Sequence, residues 1–378
     1  MKAICLRARG GPEALAYEEA PQPHPGEGEV LVRVHAAGVI HTELSWVPTW
    51  TTPAGEPRPL PVIPGHEFSG EIAALGARVR DVGVGDLVYG LNDWYRDGAS
   101  AEYCVARVAD IAPKPAGVDH VHAAATPISA LTAWQGLVER AGLAAGQRVL
   151  IHGAAGGVGT LAVQLARWRG ARVTGTASAA NLDFVRSLGA DEVIDYRAER
   201  FEDVVRDVDV VFDTVGGETP ERSWGVLKPG GRLVTVAASG EQTTDERIRA
   251  AYFIVEPSRT QLAEIARLIE GGALRPVVGA VFPLAEARQA YQHKPSHGKV
   301  VLRVVDGGGA TWSGAGRAPR NRAAWPASTS TSRHSVRSWT CSPACGASGS
   351  SQRDDWPIHP VNRTHRASRH ERSERWQL

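Results

Sequence analysis

The chain has 378 residues, 43% of them hydrophobic, a formal net charge of +1 and four cysteines, at 5, 104, 341 and 345. That length accommodates two domains with cores of their own, and the cysteines are too sparse for a disulfide framework and show no paired CxxC spacing. Charge is uneven: residues 307–378 hold eleven Arg, no Lys and four acids, a balance of +7 against −6 for the rest, so the body of the chain presents no nucleic-acid surface.

The N-terminus, MKAICLRARGG, lacks an apolar signal core, and no stretch of 18 uninterrupted apolar residues occurs. Neither secretion nor a membrane span is expected, and a reducing, cytoplasmic location is. Ile4 and Leu6 open the chain, and a Pro-rich segment runs from Pro21 to Pro25. VLVRV then puts Val30, Val32 and Val34 on one face with Arg33 outward, a half-buried strand. Gly70–Ala74 and Asp86–Tyr89 read as further short strands between Gly-rich turns, which predicts a small all-β domain up to about residue 120. From His122 to Arg140 the apolar spacing is helical. Beyond it the pattern predicts strand 148–152, helix 158–169, strand 171–176, helix 180–188, strand 192–194, helix 200–206 and strand 208–213. Such alternation argues for a parallel, doubly wound sheet. Arg232–Val236 is another strand, Leu262, Ile265, Leu268 and Ile269 mark an amphipathic helix, and KVVLRVV at 299–305 is the last strand.

The centre of this pattern is RVLIHGAAGGVG, from Arg148 to Gly159. Val149, Leu150 and Ile151 form a buried strand, and Leu161, Ala162, Leu165 and Ala166 recur at helical spacing. The turn between them carries Gly153, Ala154, Gly156, Gly157, Val158 and Gly159. A glycine turn of this kind lets backbone N–H groups at a helix N-terminus face a pyrophosphate, and the flanking strand and helix supply the context that a bare glycine cluster lacks. The tail from 307 has five Trp but only Val336, Ile358, Val361 and Leu378 as large aliphatic residues, with no periodicity. It is expected to be disordered or translated from a shifted frame, and dispensable; binding of RNA or an acidic partner is the less favoured reading.

Several stretches taken together resemble the medium-chain dehydrogenase/reductase superfamily: PHPGEGEVLVRVHAAGV, PVIPGHEFSGEI, VGDLVYG, GASAEYCVA, LTAWQGL, VLIHGAAGGVGTLAVQLAR, LGADEVIDYR, VFDTVGG and KPGGRLVTV. The nearest likeness is to its zinc-independent, NADPH-dependent quinone oxidoreductase-like branch, over residues 1–306. The resemblance implies an α/β fold with a GroES-like catalytic domain (1–122), a Rossmann domain binding NADP (123–275) and a return segment to the first domain (276–306). It also implies an active site in the cleft between them, with Val215 and Ala237 joining the glycine turn against the cofactor. A small-molecule substrate and, as a protein partner, a second copy of the chain are expected.

The zinc alcohol dehydrogenases place a Cys ligand in a GVCHT-type motif. Here the motif reads Gly38, Val39, Ile40, His41, Thr42, and Ile40 cannot ligate a metal. His66 of GHE is present with Glu67, but no Cys lies between 104 and 341, so no metal is expected. An alternative site from His41, His66 and Glu67 is the weaker reading, and a hydrogen-bonded pair shaping the cleft the favoured one. His41 and Thr42 match positions that in the zinc enzymes contact the cofactor phosphate and relay a proton, which makes them the catalytic candidates. Thr42 could bond a substrate oxygen, or be a loop hydroxyl bonded to backbone. Trp46, Trp50, Trp94 and Tyr95 could wall a pocket for a planar substrate, or be packing.

For the cofactor, NAD sites usually carry an acid at the end of the second strand. Here Ala177, Ser178, Ala179, Ala180 and Asn181 follow, with no acid before Asp183, and NADPH is therefore expected. Ser178 and Asn181 could donate to the 2′-phosphate or cap the next helix. Tyr196, in the VIDY position, matches a family Tyr that reaches the phosphate. Without a metal, hydride acceptors that are already electrophilic, quinones or α,β-unsaturated carbonyls, are the expected substrates. The alternatives are a zinc-type alcohol dehydrogenase and a non-catalytic NADPH-binding sensor.

Overall fold

The computed structural model describes residues 1–237 and 243–305; the expectations for the tail lie outside the described residues. An N-terminal hairpin pairs β1 (Lys2–Leu6) with β2 (Leu15–Glu19). The first large sheet contains β3 (Glu29–Val39), β4 (Glu67–Leu75), β5 (Leu87–Leu91), β6 (Tyr103–Arg107) and β7 (Ile111–Pro113). Val30, Val32 and Val34 are buried beneath it and Arg33 is exposed, as the alternation in VLVRV dictates. Two late strands, β13 (Val278–Pro283) and β14 (Lys299–Arg303), complete this sheet in the order β13-β14-β3-β4-β5-β7, with β6 also on β3. β14 runs antiparallel to β3, with Val301 opposite Gly38, so the end of the described chain lies beside the segment that leads to His41.

The helix expected over 122–140 is broken. Asp119 caps His120–Ala124 by accepting from the His122 N–H at 2.8 Å, a second helix starts at Pro127 and ends at Trp134, and Gln135–Arg140 is π-helical. Proline lacks the N–H an uninterrupted helix would need but suits the first helical position, so one helix stops and another begins there.

The second sheet is parallel throughout, in the order β10-β9-β8-β11-β12: β8 is Arg148–His152, β9 Arg172–Ala177, β10 Glu192–Asp195, β11 Val208–Asp213 and β12 Leu227–Thr235. Val149 and Ile151 on β8, Leu161 and Leu165 on the helix Gly157–Trp168, and Val173, Val210 and Phe212 form one core, which continues into Tyr89 and Leu91 of the first sheet. The Tyr89 hydroxyl donates to the Leu262 carbonyl at 2.6 Å, on the amphipathic helix Arg259–Glu270. Among the described residues no helix is long and apolar enough to cross a membrane.

Candidate functional site

The strand order of the parallel sheet reverses between β8 and β11, and ligands of such sheets lie outside the carboxyl ends of the strands at that point. The glycine turn leaves β8 there. Gly153 adopts φ +71, which glycine reaches without strain. The turn is locked to the next strand: the Gly153 N–H donates to Thr176 Oγ1 at 3.2 Å and the Ala154 N–H to the Thr176 carbonyl at 3.0 Å. Ala154 is fully buried, so it packs the turn and has no amide left for a phosphate. Gly156 occupies the N-cap and supplies no side-chain cap, so the amides of Gly157, Val158 and Gly159 in the first turn of the helix are not satisfied by a capping side chain.

Two glycines here serve different ends. A Cβ at Gly159 would lie 2.1 Å from the Gly153 carbonyl oxygen and 2.8 Å from Ala154 Cα, so the helix sits directly on the turn. A Cβ at Gly156 would meet only the Gly153 carbonyl oxygen, at 3.3 Å, and otherwise enter open space. Ser129 Oγ is buried without a partner, 3.5 Å from the Cβ that Gly157 lacks. An open cradle with uncapped amides fits a pyrophosphate. Val215 stands exposed after β11, where the Asp213 carboxylate accepts from its N–H at 3.0 Å and also takes the Thr235 hydroxyl at 2.7 Å. Ala237 follows β12 at the same end of the sheet.

The acid-free end of β9 lies beside the end of β10, where the Tyr196 N–H donates to the Ala177 carbonyl at 3.2 Å. Tyr196 is 55% exposed and carries the Arg197 guanidinium over its ring at 5.6 Å. Neither Ser178 nor Asn181 caps a helix with its side chain. The Asn181 amide donates instead to Ser178 Oγ at 3.2 Å and to the Ser296 carbonyl at 2.7 Å. That corrects the expectation that Asn181 donates to a phosphate: both its N–H bonds are spent. Ser178 accepts from Asn181 and keeps its own O–H.

On the other side of the cleft, Ile40 is half-buried against the shared core. His41 is exposed, and its Nε2 lies 2.6 Å from the His293 carbonyl. A carbonyl only accepts, so Nε2 carries the proton and Nδ1 the lone pair. Desolvation lowers the His41 pKa, which the His293 carbonyl opposes, and the ring rests neutral. Thr42 is exposed, and its carbonyl rather than its hydroxyl takes the Ser45 Oγ–H bond, at 2.7 Å.

Of the aromatic candidates, Trp46 and Trp94 meet edge to face at 5.6 Å and enclose His66, at 6.3 and 5.3 Å. His66 is 2% exposed and burial drives its pKa down to about 4, so it is a neutral, sheltered ring. Trp50 departs from the expectation of a pocket wall: it is packed in the core, its indole N–H bonded to the Leu44 carbonyl at 2.7 Å. Tyr95 is 37% exposed. Glu67 does not pair with His66 through any hydrogen bond. Its Oε1 is ion-paired with Lys299 Nζ at 2.5 Å and its Oε2 accepts the Ile128 N–H at 2.9 Å. Among the described residues no group of three or more His, Cys, Asp or Glu is arranged to hold a metal ion.

Sequence reasoning missed three participants. Glu43 is buried, accepting from the Tyr291 hydroxyl and, at 3.1 Å, from the Gly65 N–H, and burial pushes its pKa up to about 7. Lys299 opens β14 below Gly157. Residues 293–298 tie the motifs together: His293 holds His41, Ser296 holds Asn181, and the Gly298 N–H donates to the Ala155 carbonyl at 2.9 Å. No local spacing announces these contacts.

Residues 26–116 match the family model described as an alcohol dehydrogenase GroES-like domain, and residues 188–302 one described as a zinc-binding dehydrogenase. The chain is 33% identical to the "Probable zinc-binding oxidoreductase, mitochondrial" of Arthroderma benhamiae, over 77% of this chain and 93% of that one. It is 33% identical to the "NADPH-dependent alkenal/one oxidoreductase, chloroplastic" of Arabidopsis thaliana, over 81% and 80%. Among solved structures, the quinone oxidoreductase from Coxiella burnetii superposes with a TM-score of 0.74 at 31% identity, covering 81% of this chain and 99% of that one. The chain belongs to the medium-chain dehydrogenase/reductase superfamily, in its quinone oxidoreductase-like branch.

Proposed function

We propose that this protein is an NADPH-dependent oxidoreductase that reduces quinones or α,β-unsaturated carbonyls without zinc. The observation that carries the reading is the open cradle before Gly156 together with the acid-free end of β9. The uncapped amides of Gly157–Gly159 would hold the pyrophosphate. Ser178, Tyr196 and the Arg197 stacked on it would surround the 2′-phosphate, which an acid at that place would repel. Val215 and Ala237 would flank the cofactor along the sheet edge. When bound, NADPH supplies the hydride.

The remaining residues favour an acceptor that needs no Lewis acid. Ile40 offers no donor atom where the zinc enzymes use Cys, and both oxygens of Glu67 already have partners. Thr42 would donate its free hydroxyl to the substrate oxygen as negative charge grows there. His41, with Nε2–H fixed on the His293 carbonyl, would accept a proton at Nδ1 and so pass protons between Thr42 and water. Trp46 and Trp94 would give a planar substrate an apolar wall. NADPH oxidation followed against a panel of quinones and enones, with and without chelator, tests the reading. Turnover that survives chelation supports it; activity that appears only with alcohols, or stoichiometric zinc in the pure protein with activity lost on its removal, overturns it.

A further inference from the structure

Asn181 is 7% exposed, and both N–H bonds of its amide are committed, one to Ser178 Oγ at 3.2 Å and one to the Ser296 carbonyl at 2.7 Å. Ser296 belongs to residues 293–298, which come from about 115 residues further along the chain and are held beside Asn181 by two further contacts. The His297 ring packs on Phe184 at 4.3 Å, and Gly298 is bridged to Gly156. Ser178 therefore has one lone pair occupied by Asn181 and makes no cap bond, which leaves its O–H as the one donor it can offer a phosphate. With the amide fixed at both ends, that hydroxyl is oriented before any ligand arrives.

We propose that Asn181 is a positioning residue for cofactor selectivity: it acts through Ser178, braced by Ser296, and does not itself touch the 2′-phosphate. The inference rests on the NADPH reading above. A hydroxyl already oriented gives its full hydrogen bond to a phosphate, whereas a freely rotating one loses part of it to ordering. Because only the 2′-phosphate receives that bond, Asn181 should affect ligands that carry the group and spare those that lack it.

The test is calorimetric titration with 2′,5′-ADP and with 5′-AMP, which reads binding without turnover. Ser178→Ala should weaken 2′,5′-ADP about three- to tenfold, the worth of one ordinary hydrogen bond, Asn181→Ala should weaken it by a measurable part of that, and both should leave 5′-AMP unchanged. Asn181→Ala added to Ser178→Ala should do nothing more. Should Asn181→Ala not fold, Asn181→Leu, which keeps the volume and removes the amide, is read in its place. Equal weakening of both ligands, or additive effects in the double variant, would overturn the proposal. An unmodified protein that does not distinguish 2′,5′-ADP from 5′-AMP would instead sink the NADPH reading on which it rests.

Discussion

Replacing each of two glycines of the turn by Val separates cradle from packing. At Gly159 the new Cβ would stand 2.1 Å from a carbonyl oxygen and 2.8 Å from a Cα, both backbone atoms that cannot rotate away. Overpacking of this kind costs about 1–3 kcal/mol, and backbone obstacles place it near the upper end. Replacing a helical glycine by Val, itself a poor helix former, returns at most about 0.5 kcal/mol. The net loss is about 2 kcal/mol, a fall in melting temperature of about 4–8 °C. At Gly156 the backbone has φ −74, which any residue adopts, and the Cβ meets only one atom, at 3.3 Å. Gly156→Val should therefore melt close to the parent. Its side chain would stand in the space before the amides of Gly157–Gly159, and the loss of one charge-assisted hydrogen bond, about 1.5–3 kcal/mol, weakens NADPH about 10- to 100-fold. Thermal melts and fluorescence titration read the two effects. A Gly156→Val protein that binds NADPH like the parent would refute the cradle, and a Gly159→Val protein that melts like the parent would refute the close approach.

The unmodified protein should prefer NADPH to NADH, and Ser178→Asp should reverse the order by setting a carboxylate against the 2′-phosphate; equal or better steady-state use of NADH by the parent contradicts this. Arg197→Ala should weaken NADPH and leave NADH unaffected, because the guanidinium on Tyr196 has only the phosphate to address; a parallel loss for both cofactors would remove Arg197 from the site. Glu43 holds its proton in the fold up to about 7, against an ordinary 4.5, so its contribution to stability is complete below 4.5 and lost as pH rises through 7, about 3 kcal/mol in all. The buried rings of His66 and His152, with pKa values near 4 and 3, act in the opposite sense below 6.5, and they are common to parent and variant. Glu43→Gln should therefore lose less melting temperature, or gain more, between pH 5 and 7.5 than the parent; identical pH profiles would show that Glu43 is ionised throughout.

Short-range pattern encodes the elements of this fold that are legible in its sequence. β8 and β11 lie where the apolar runs put them, because strands of a parallel sheet are buried on both faces and announce themselves as unbroken hydrophobic stretches. Over 122–140 the apolar spacing runs straight through Pro127, and period alone does not register a missing N–H, so one expected helix is two. β13, VGAVFP, is interrupted by Gly279 and closed by Pro283, residues that punctuate a strand pattern, and as an edge strand it buries no position fully. The glycines were legible as a motif, but which of them packs and which opens depends on what stands opposite, Gly153 for one and empty space for the other.

The candidate site shows the same division more sharply. Ser178 and Tyr196 could be named from the sequence because each lies at the end of a strand whose place in the sheet was already fixed. Asn181 could be named too, but not given its role, since that role depends on a carbonyl 115 residues further on. Glu43 and Tyr291 are 248 residues apart, and neither is conspicuous alone. In each case the missing partner comes from the segment around 291–298 that returns beside the first domain. That segment contacts His41, Ala155 and Asn181 at once, one from each of the three motifs that were legible separately. Local pattern thus identifies the groups that would face cofactor and substrate. The distance and angle between those groups are set by a stretch whose own sequence, QHKPSHG, carries no motif, so its substitutions should move selectivity and pH response before they abolish binding.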